Sequence, residues 1–181
     1  MMADAGFSFE LPPALVAKGF SLRPETDADV PFAMRLYAST REDELAQVDW
    51  SPEQKSLFLA QQFTAQRHHY KTQMDCRFAL IEQHGVPVGR LYLEPRQTQI
   101  SIVDIALIPE VRGKGLGQAI IEALIATAAT SGRGIGIFVE RFNPALRLYR
   151  RVGFTEIGET EVYLEMERVY EPRGDQPKQA S

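Results

Sequence analysis

The sequence predicts a single α/β (α+β) domain built on a mixed, mostly antiparallel sheet with flanking helices. Three observations lead to this prediction. Apolar residues recur at helical spacing across residues 26–70, and the period then changes to two across residues 77–108. A glycine-rich loop at 111–117 follows these strands and leads into a helical segment and another strand. A strand, helix, strand order implies one parallel pair within the sheet.

The first part of the chain divides into an extension and two helices. Residues 1–18 are predicted to be an N-terminal extension, and the domain is predicted to occupy residues 19–168, with a flexible polar tail at 169–181. A strand at Phe20–Pro24 opens the domain. Thr26 begins the first helix as its N-cap. Ser51, Pro52 and Gln54 form a capping box that starts a second helix, predicted to run to about Tyr70.

The second part of the chain is dominated by strands. Positive φ angles at His84-Gly85 would join the first two strands in a hairpin, and a meander follows. A helix begins near Leu116 after the glycine-rich loop, and a shorter helix begins near Asn143. The predicted strands lie at 77–81, 86–93, 100–108, 135–139, 154–157 and 161–165.

Composition limits the class of protein. The 181 residues are 44% hydrophobic and carry a formal charge of −4, which argues against a general nucleic-acid binder. The single cysteine, Cys76, excludes an intrachain disulfide and suggests a reducing compartment; we interpret it as a small buried residue rather than a nucleophile. No signal-peptide pattern and no run of ~20 apolar residues is present, so we expect a cytoplasmic protein without a membrane partner.

The loop Val111–Gly117 predicts a phosphate site. It is glycine-rich and cationic, and it precedes a helix whose first N–H groups and positive dipole end favour anions. Walker spacing fails because no Ser or Thr follows Lys114, and the dinucleotide pattern fails because Gln118 stands where its last glycine should be. The spacing that fits is R-x-x-G-x-G, from Arg112 to Gly117.

A second motif lies about thirty residues downstream, at 143–154. Asn143 is suited to cap a helix, Pro144 suits its first position, and Gly153 suits a left-handed C-cap. Capping does not explain Tyr149, which is either a core aromatic residue or a chemically active one.

Both motifs, in this order, resemble those of the GNAT N-acetyltransferase superfamily, and the resemblance covers residues 20–168. It implies acetyl-CoA as cosubstrate and transfer of the acetyl group to a primary amine. It also implies that the strand ending at Leu107 and the strand beginning near Ile135 separate to form a cleft. The implied coenzyme A site comprises Leu107, Ile108, Arg112, Gly113, Lys114, Gly115, Leu116, Gly117 and Asn143.

Roles within that site follow from the resemblance. Backbone groups of Leu107 and Ile108 would line the pantetheine arm, and the N–H groups of Arg112, Gly113, Gly115 and Gly117 would bind the pyrophosphate. The Arg112 side chain would add charge or brace the loop. Lys114 and Arg133 are either partners of the adenosine phosphate or solvated surface charges.

Chemistry requires an acid, a base and an oxyanion donor. Tyr149 is the candidate acid for the departing thiolate, although its interval from Asn143 is one residue shorter than in most relatives. Asp104, an isolated acid in an apolar strand, is the candidate base, with a salt-bridged carboxylate as the alternative; Glu140 is a weaker candidate. A backbone N–H near Leu107 would hold the oxyanion. No cluster has metal-ligand spacing.

The acceptor is not identified by the sequence. Arg41-Glu42-Asp43-Glu44 and Trp50 lie between the first two helices, where acids would suit a cationic amine or form an ordinary solvated loop. A small-molecule amine and a protein amine both remain open, as does a homodimer. A CoA-binding regulatory module without catalysis and a nucleotide-dependent enzyme are the alternative functions. His68 and His69 are interpreted as stabilising a helix C-terminus.

Overall fold

The computed structural model describes residues 2–4 and 7–171, with side chains from residue 7 onward, so most of the tail predicted at 169–181 lies outside the described residues. The strands are β1 Met2–Asp4, β2 Phe7–Phe9, β3 Phe20–Pro24, β4 Arg77–Gln83, β5 Val86–Pro95, β6 Gln99–Leu107, β7 Gly134–Glu140, β8 Thr155–Glu159 and β9 Tyr163–Arg168. The helices are α1 Pro13–Val16, α2 Val30–Ser39, α3 Glu42–Ala46, α4 Pro52–Gln73, α5 Leu116–Thr130 and α6 Leu146–Arg151.

Seven strands form one sheet in the order β3-β4-β5-β6-β7-β9-β8, and β1 and β2 form a separate pair. Only β6 and β7 run parallel within this sheet. The predicted mixed, mostly antiparallel sheet is therefore confirmed. The predicted hairpin is confirmed as well, because His84 and Gly85 have φ angles of 51° and 78°, as a type I′ turn requires.

Both predicted helix starts are confirmed. Thr26 caps a short 3-10 turn that leads into α2, and Ser51 and Gln54 form the capping box of α4. The second helix ends at Gln73, three residues beyond the prediction. Helix α3 was not predicted, because a five-residue element with one half-buried leucine, Leu45, carries too short an apolar pattern to show a period.

The two faces of the sheet are covered differently. Leu91 and Leu93 of β5 pack in the main core with α5, whereas Arg90 and Tyr92, which alternate with them, lie on the other face. Helices α2 and α4 cover that second face, and Tyr37 joins them through a contact with Phe63. The second face therefore carries polar groups beneath two helices.

The predicted extension packs against the main core. Phe9 is fully buried, and Phe7, Leu11 and Leu15 expose at most 8% of their surface. All four belong to the same cluster as the residues of α5. Hydrophobic burial thus ties residues 7–16 to the domain.

Replacing Leu15 by alanine is expected to lower the free energy of unfolding by about 2 kcal/mol or more, since a buried leucine leaves a cavity. Its neighbour Val16 is 56% exposed, so Val16→Ala should stay within about 0.5 kcal/mol of the wild type. Urea unfolding of both variants measures the difference. Equal stability of Leu15→Ala and Val16→Ala would contradict the packing of this segment.

Among the helices that the structure describes, none is both long and apolar enough to cross a membrane.

Candidate active site

A β-bulge in β6 opens the centre of the sheet. Tyr92 of β5 pairs with Asp104 and the next residue, Leu93, pairs with Ile102, so Val103 has no partner on β5. The parallel pairing of β6 with β7 ends at Ile102. Bulges bend a strand and increase its local twist. Beyond Ile102 the two strands therefore diverge and leave a notch between the ends of β6 and β7.

Backbone groups of β6 face this notch. The N–H of Ile108 donates to the Val88 carbonyl at 2.9 Å, so the groups of Ile108 and of alternate residues before it point toward β5. Those of Ile105 and Leu107 point the other way, where no described strand pairs with them. The Leu107 carbonyl accepts a hydrogen bond from Arg112 Nε at 2.7 Å. The Leu107 N–H is therefore the group of this residue that can donate into the notch.

Ile108 stays a predicted coenzyme-binding residue, although both of its backbone groups have partners within the protein. Its N–H is used by Val88, and its carbonyl already accepts from the Val111 N–H at 3.2 Å. The sequence could not show this, because the side of the strand to which a backbone group points depends on the register of β5 and β6.

The glycine-rich loop leads from β6 into α5. Gly113 and Gly115 have φ angles of 70° and 82°, and a Cβ at either position would meet no atom within 4 Å. Glycine is needed here for the left-handed backbone and for the open space above it. The first helical hydrogen bond runs from the Ala119 N–H to the Gly115 carbonyl at 3.0 Å. The N–H groups of residues 116–118 therefore start the helix without helical partners, which suits an anion.

Arg112 braces the loop. Besides its bond to Leu107, its Nη2 donates to Ser39 Oγ at 2.8 Å, which joins the loop to the end of α2. Its own N–H donates to the Pro109 carbonyl at 3.2 Å in a 3-10 turn. Binding of pyrophosphate by the Arg112 amide stays a prediction, while the bracing contacts of its side chain are observed.

Helix α6 places Tyr149 in the core, close enough to Asp104 on β6 for the two side chains to interact electrostatically. The regular helix begins at Leu146, later than predicted, because Asn143 Oδ1 accepts from the Ala145 N–H at 2.8 Å and holds a preceding turn. Gly153, with φ at 92°, ends the helix as predicted. The Phe154 N–H donates to the Tyr149 carbonyl at 3.0 Å, as in a Schellman motif.

The Tyr149 side chain is buried and keeps its proton. Only 3% of its surface is exposed, and its ring meets Phe154 edge to face at 5.7 Å. Burial raises the pKa of Tyr149, and the negative charge of Asp104 raises it further. This environment suits a proton donor rather than a base. The assignment of Tyr149 as the acid stays a prediction.

Asp104 forms a buried ion pair. Its Oδ2 accepts from Arg90 Nη2 at 2.6 Å, and Arg90 is 2% exposed between the rings of Tyr37 and Tyr92. The alternative of a salt-bridged carboxylate is thus what the structure shows for this oxygen. Oδ1 accepts no hydrogen bond from the described residues. The sequence analysis did not identify Arg90 as part of the site. Like Asp104, it is an isolated charge in an apolar strand, so the same signal could have identified it.

A second ion pair lies at the end of β7, which we call the mouth of the notch. Arg41, just after α2, binds both carboxylate oxygens of Glu140 at 3.0 and 2.5 Å and also reaches Glu44 at 3.1 Å. Glu140, the weaker base candidate, is therefore engaged on both oxygens. It pairs across strands with Tyr163, whose pKa is raised by burial and by this carboxylate. The acidic segment between α2 and α4 is thus partly helical, and its Arg41 links the end of α2 to β7.

The remaining candidates lie apart from the notch. His68 and His69 are exposed on α4, before its last turn. Burial raises the pKa of Cys76 to about 12, which fits the interpretation that it is not a nucleophile. Lys114 is exposed. No group of three or more potential metal ligands occurs among the residues searched, those that the structure describes.

A groove of about 800 Å³ runs along α5 from Gln118 to Arg133 and past the end of β9. Gln118 and Arg151 line it and join α5 to α6 through a 2.8 Å hydrogen bond. Arg133, predicted with Lys114 for the adenosine phosphate, lines the same groove.

Comparison with known proteins gives one family. Residues 33–154 match the model of the acetyltransferase (GNAT) family. The PaiA N-acetyltransferase of Thermoplasma acidophilum, solved in complex with coenzyme A, superposes with a TM-score of 0.63 at 16% identity, covering 83% of this chain and 99% of that chain.

Two further structures are similar in the same way. The ribosomal-protein-S18-alanine N-acetyltransferase of Escherichia coli gives a TM-score of 0.57 at 18% identity, covering 87% of this chain and 97% of its own. A ribosomal L7/L12 α-N-protein acetyltransferase, RimL, gives 0.60 at 20% identity, covering 89% and 94%. At these identities the likeness establishes a shared fold.

Proposed function

Since this chain belongs to the acetyltransferase (GNAT) family and is an acetyl-CoA-dependent N-acetyltransferase, we propose that it moves the acetyl group directly from the thioester to a primary amine bound in the notch. The observation that carries the proposal is the notch itself. The gap follows the end of the β6–β7 pairing, the left-handed glycine cradle comes directly after β6 in the chain, and the buried Tyr149 lies within electrostatic reach of Asp104 on β6.

The chain fits the cosubstrate at two places. Helical N–H groups at 116–118 and the open space above Gly113 and Gly115 suit a pyrophosphate. The backbone groups of Ile105 suit the amide-containing arm, which would pair with β6 like an added strand, and the Leu107 N–H stays available for the reacting carbonyl. When bound, acetyl-CoA supplies an activated acyl group. Gln118 and Arg151, beside the first turn of α5, offer hydrogen bonds and charge to its adenosine end, whereas Arg133 lies beyond the other end of that helix.

Each proton and bond change has a proposed group. The amine attacks the thioester carbon, so an N–C bond forms and the C–S bond breaks. The Leu107 N–H stabilises the oxyanion. Tyr149 donates its proton to the departing thiolate. Asp104 takes one proton from the ammonium through Oδ1 or a water, which frees the neutral amine to attack, while Arg90 holds Oδ2. After the attack the nitrogen loses its second proton to solvent, and solvent returns a proton to Tyr149, so the net products are the amide, the thiol of coenzyme A and one proton.

The proposal is tested by measuring thiol release from acetyl-CoA with and without a panel of amines. The panel holds a polyamine, free amino acids, an aminoglycoside and peptides with free N-termini. We expect amine-dependent release, with the acetylated amine found by mass spectrometry. Tight binding of CoA without amine-dependent release would favour a non-catalytic CoA-binding module instead.

A further inference from the structure

Part of the sheet next to the notch is left open. In β7 and β9, the side chains of Ile137, Val139, Leu164 and Met166 enter the core. The alternating residues lie on the opposite side, and there Phe138 is 49% and Tyr163 41% exposed. We define the outer face as Phe138, Tyr163, Glu165 and Glu167.

The outer face carries unbalanced negative charge. Residues 155–167 include five glutamates and no lysine or arginine. Glu156 and Glu159 form ion pairs with Arg150 and Arg141. Glu165 and Glu167 form no ion pair with any described residue, and Glu167 only accepts from Gln99 Nε2 at 3.1 Å. Two unpaired carboxylates beside an exposed phenylalanine complement a partner with both cationic and apolar groups.

This surface is continuous with the mouth of the notch. Phe138 is the first β7 residue beyond the segment that pairs with β6. Tyr163 lies opposite Glu140, at the mouth of the notch. Glu165 and Glu167 follow on β9 at about 7 and 13 Å from Tyr163, given ~3.3 Å per residue. An extended peptide has the same rise, so cationic side chains two and four residues beyond the mouth would reach them.

A second copy of this chain is a poor occupant. A twofold interface places the same patch against itself. The outer face holds two carboxylates and no cation, so such an interface would bring like charges together, which opposes association. A cationic polypeptide avoids this repulsion.

We propose that the outer face docks a positively charged segment of a polypeptide acceptor whose amine enters the notch. This inference rests on the proposed function and narrows its acceptor to a polypeptide with lysine or arginine close to the reactive amine. The face contributes attraction and orientation, and the chemistry stays with the residues of the notch.

The test compares two hexapeptides, Ala-Gly-Lys-Gly-Lys-Gly and Ala-Gly-Glu-Gly-Glu-Gly, with alaninamide as the short amine. We expect Glu165→Gln/Glu167→Gln to lower kcat/KM for the lysine peptide roughly fivefold, since each exposed ion pair contributes modestly, and to leave alaninamide unchanged. Added salt should reduce the ratio of kcat/KM for the lysine peptide to kcat/KM for the glutamate peptide in the wild type, and should leave this ratio unchanged in the double variant.

The matched control is Glu156→Gln/Glu159→Gln, which removes the same charge from β8, where these residues pair with Met166 and Leu164 of the core side. This control variant should keep the wild-type preference for the lysine peptide over the glutamate peptide. Equal losses for both peptides, or in both double variants, would overturn the docking surface. So would a change in sedimentation showing that the outer face joins two copies. Failure to acetylate alaninamide, both peptides and every other amine of the panel would instead overturn the proposed function.

Discussion

Replacing Gly115 by aspartate is expected to weaken coenzyme A binding by at least about 100-fold. Losing one charge-assisted hydrogen bond alone costs about 1.5–3 kcal/mol, and the new carboxylate adds repulsion toward the pyrophosphate. The side chain would enter the open space above the loop, where a Cβ meets no protein atom within 4 Å. Isothermal titration with coenzyme A measures the change.

Gly85 provides a matched control. Its φ angle is 78°, close to the 82° of Gly115, and its Cβ position is equally open, but it lies in the turn between β4 and β5. Gly85→Asp should therefore cost a similar backbone strain of about 1 kcal/mol or more and leave coenzyme A affinity unchanged. Retained affinity in Gly115→Asp would contradict the assignment of the loop.

Replacing Tyr149 by phenylalanine is expected to lower kcat by about 100-fold or more, because a positioned general acid contributes roughly 10²–10⁴. The ring contact with Phe154 survives the substitution, so stability should change little. The KM for acetyl-CoA should stay within about twofold of the wild type, since the hydroxyl acts on the leaving group. Steady-state kinetics with an accepted amine provides the measurement.

The pH dependence of wild-type activity also tests the assignment of Tyr149 as the general acid. Because burial raises the pKa of Tyr149, its proton is retained above the ordinary tyrosine value of about 10. Activity should therefore show no falling limb from this group below about pH 10. Tyr170→Phe, at an exposed tyrosine, is the control. An unchanged kcat in Tyr149→Phe would leave Tyr149 as a core aromatic only.

Local sequence signals were sufficient for most elements of the domain and their order, but not for α3 or for the short elements at the start of the chain. The Ser51 capping box, the His84-Gly85 turn and the Gly153 C-cap are each determined by residues within one turn of one another, and all three are observed. The glycine loop belongs to the same class, because its left-handed angles are a property of glycine. Such features need no knowledge of distant parts of the chain.

Register and long-range pairing account for what the sequence did not show. The bulge at Val103 depends on how β5 aligns with β6, and it determines that Ile105 and Leu107, not Ile108, face the notch. The partners of Asp104 and Glu140 are Arg90 and Arg41, 14 and 99 residues away in the chain. Their ion pairs could not be read from local spacing.

Amine-dependent thiol release from acetyl-CoA, measured side by side for the wild type and Tyr149→Phe, tests the central claim most directly. The account predicts release that requires an amine, yields the N-acetylated product and falls about 100-fold or more in the variant, while both proteins bind coenzyme A equally well. Release that is no faster with any amine than without, from a protein that binds coenzyme A, would contradict it.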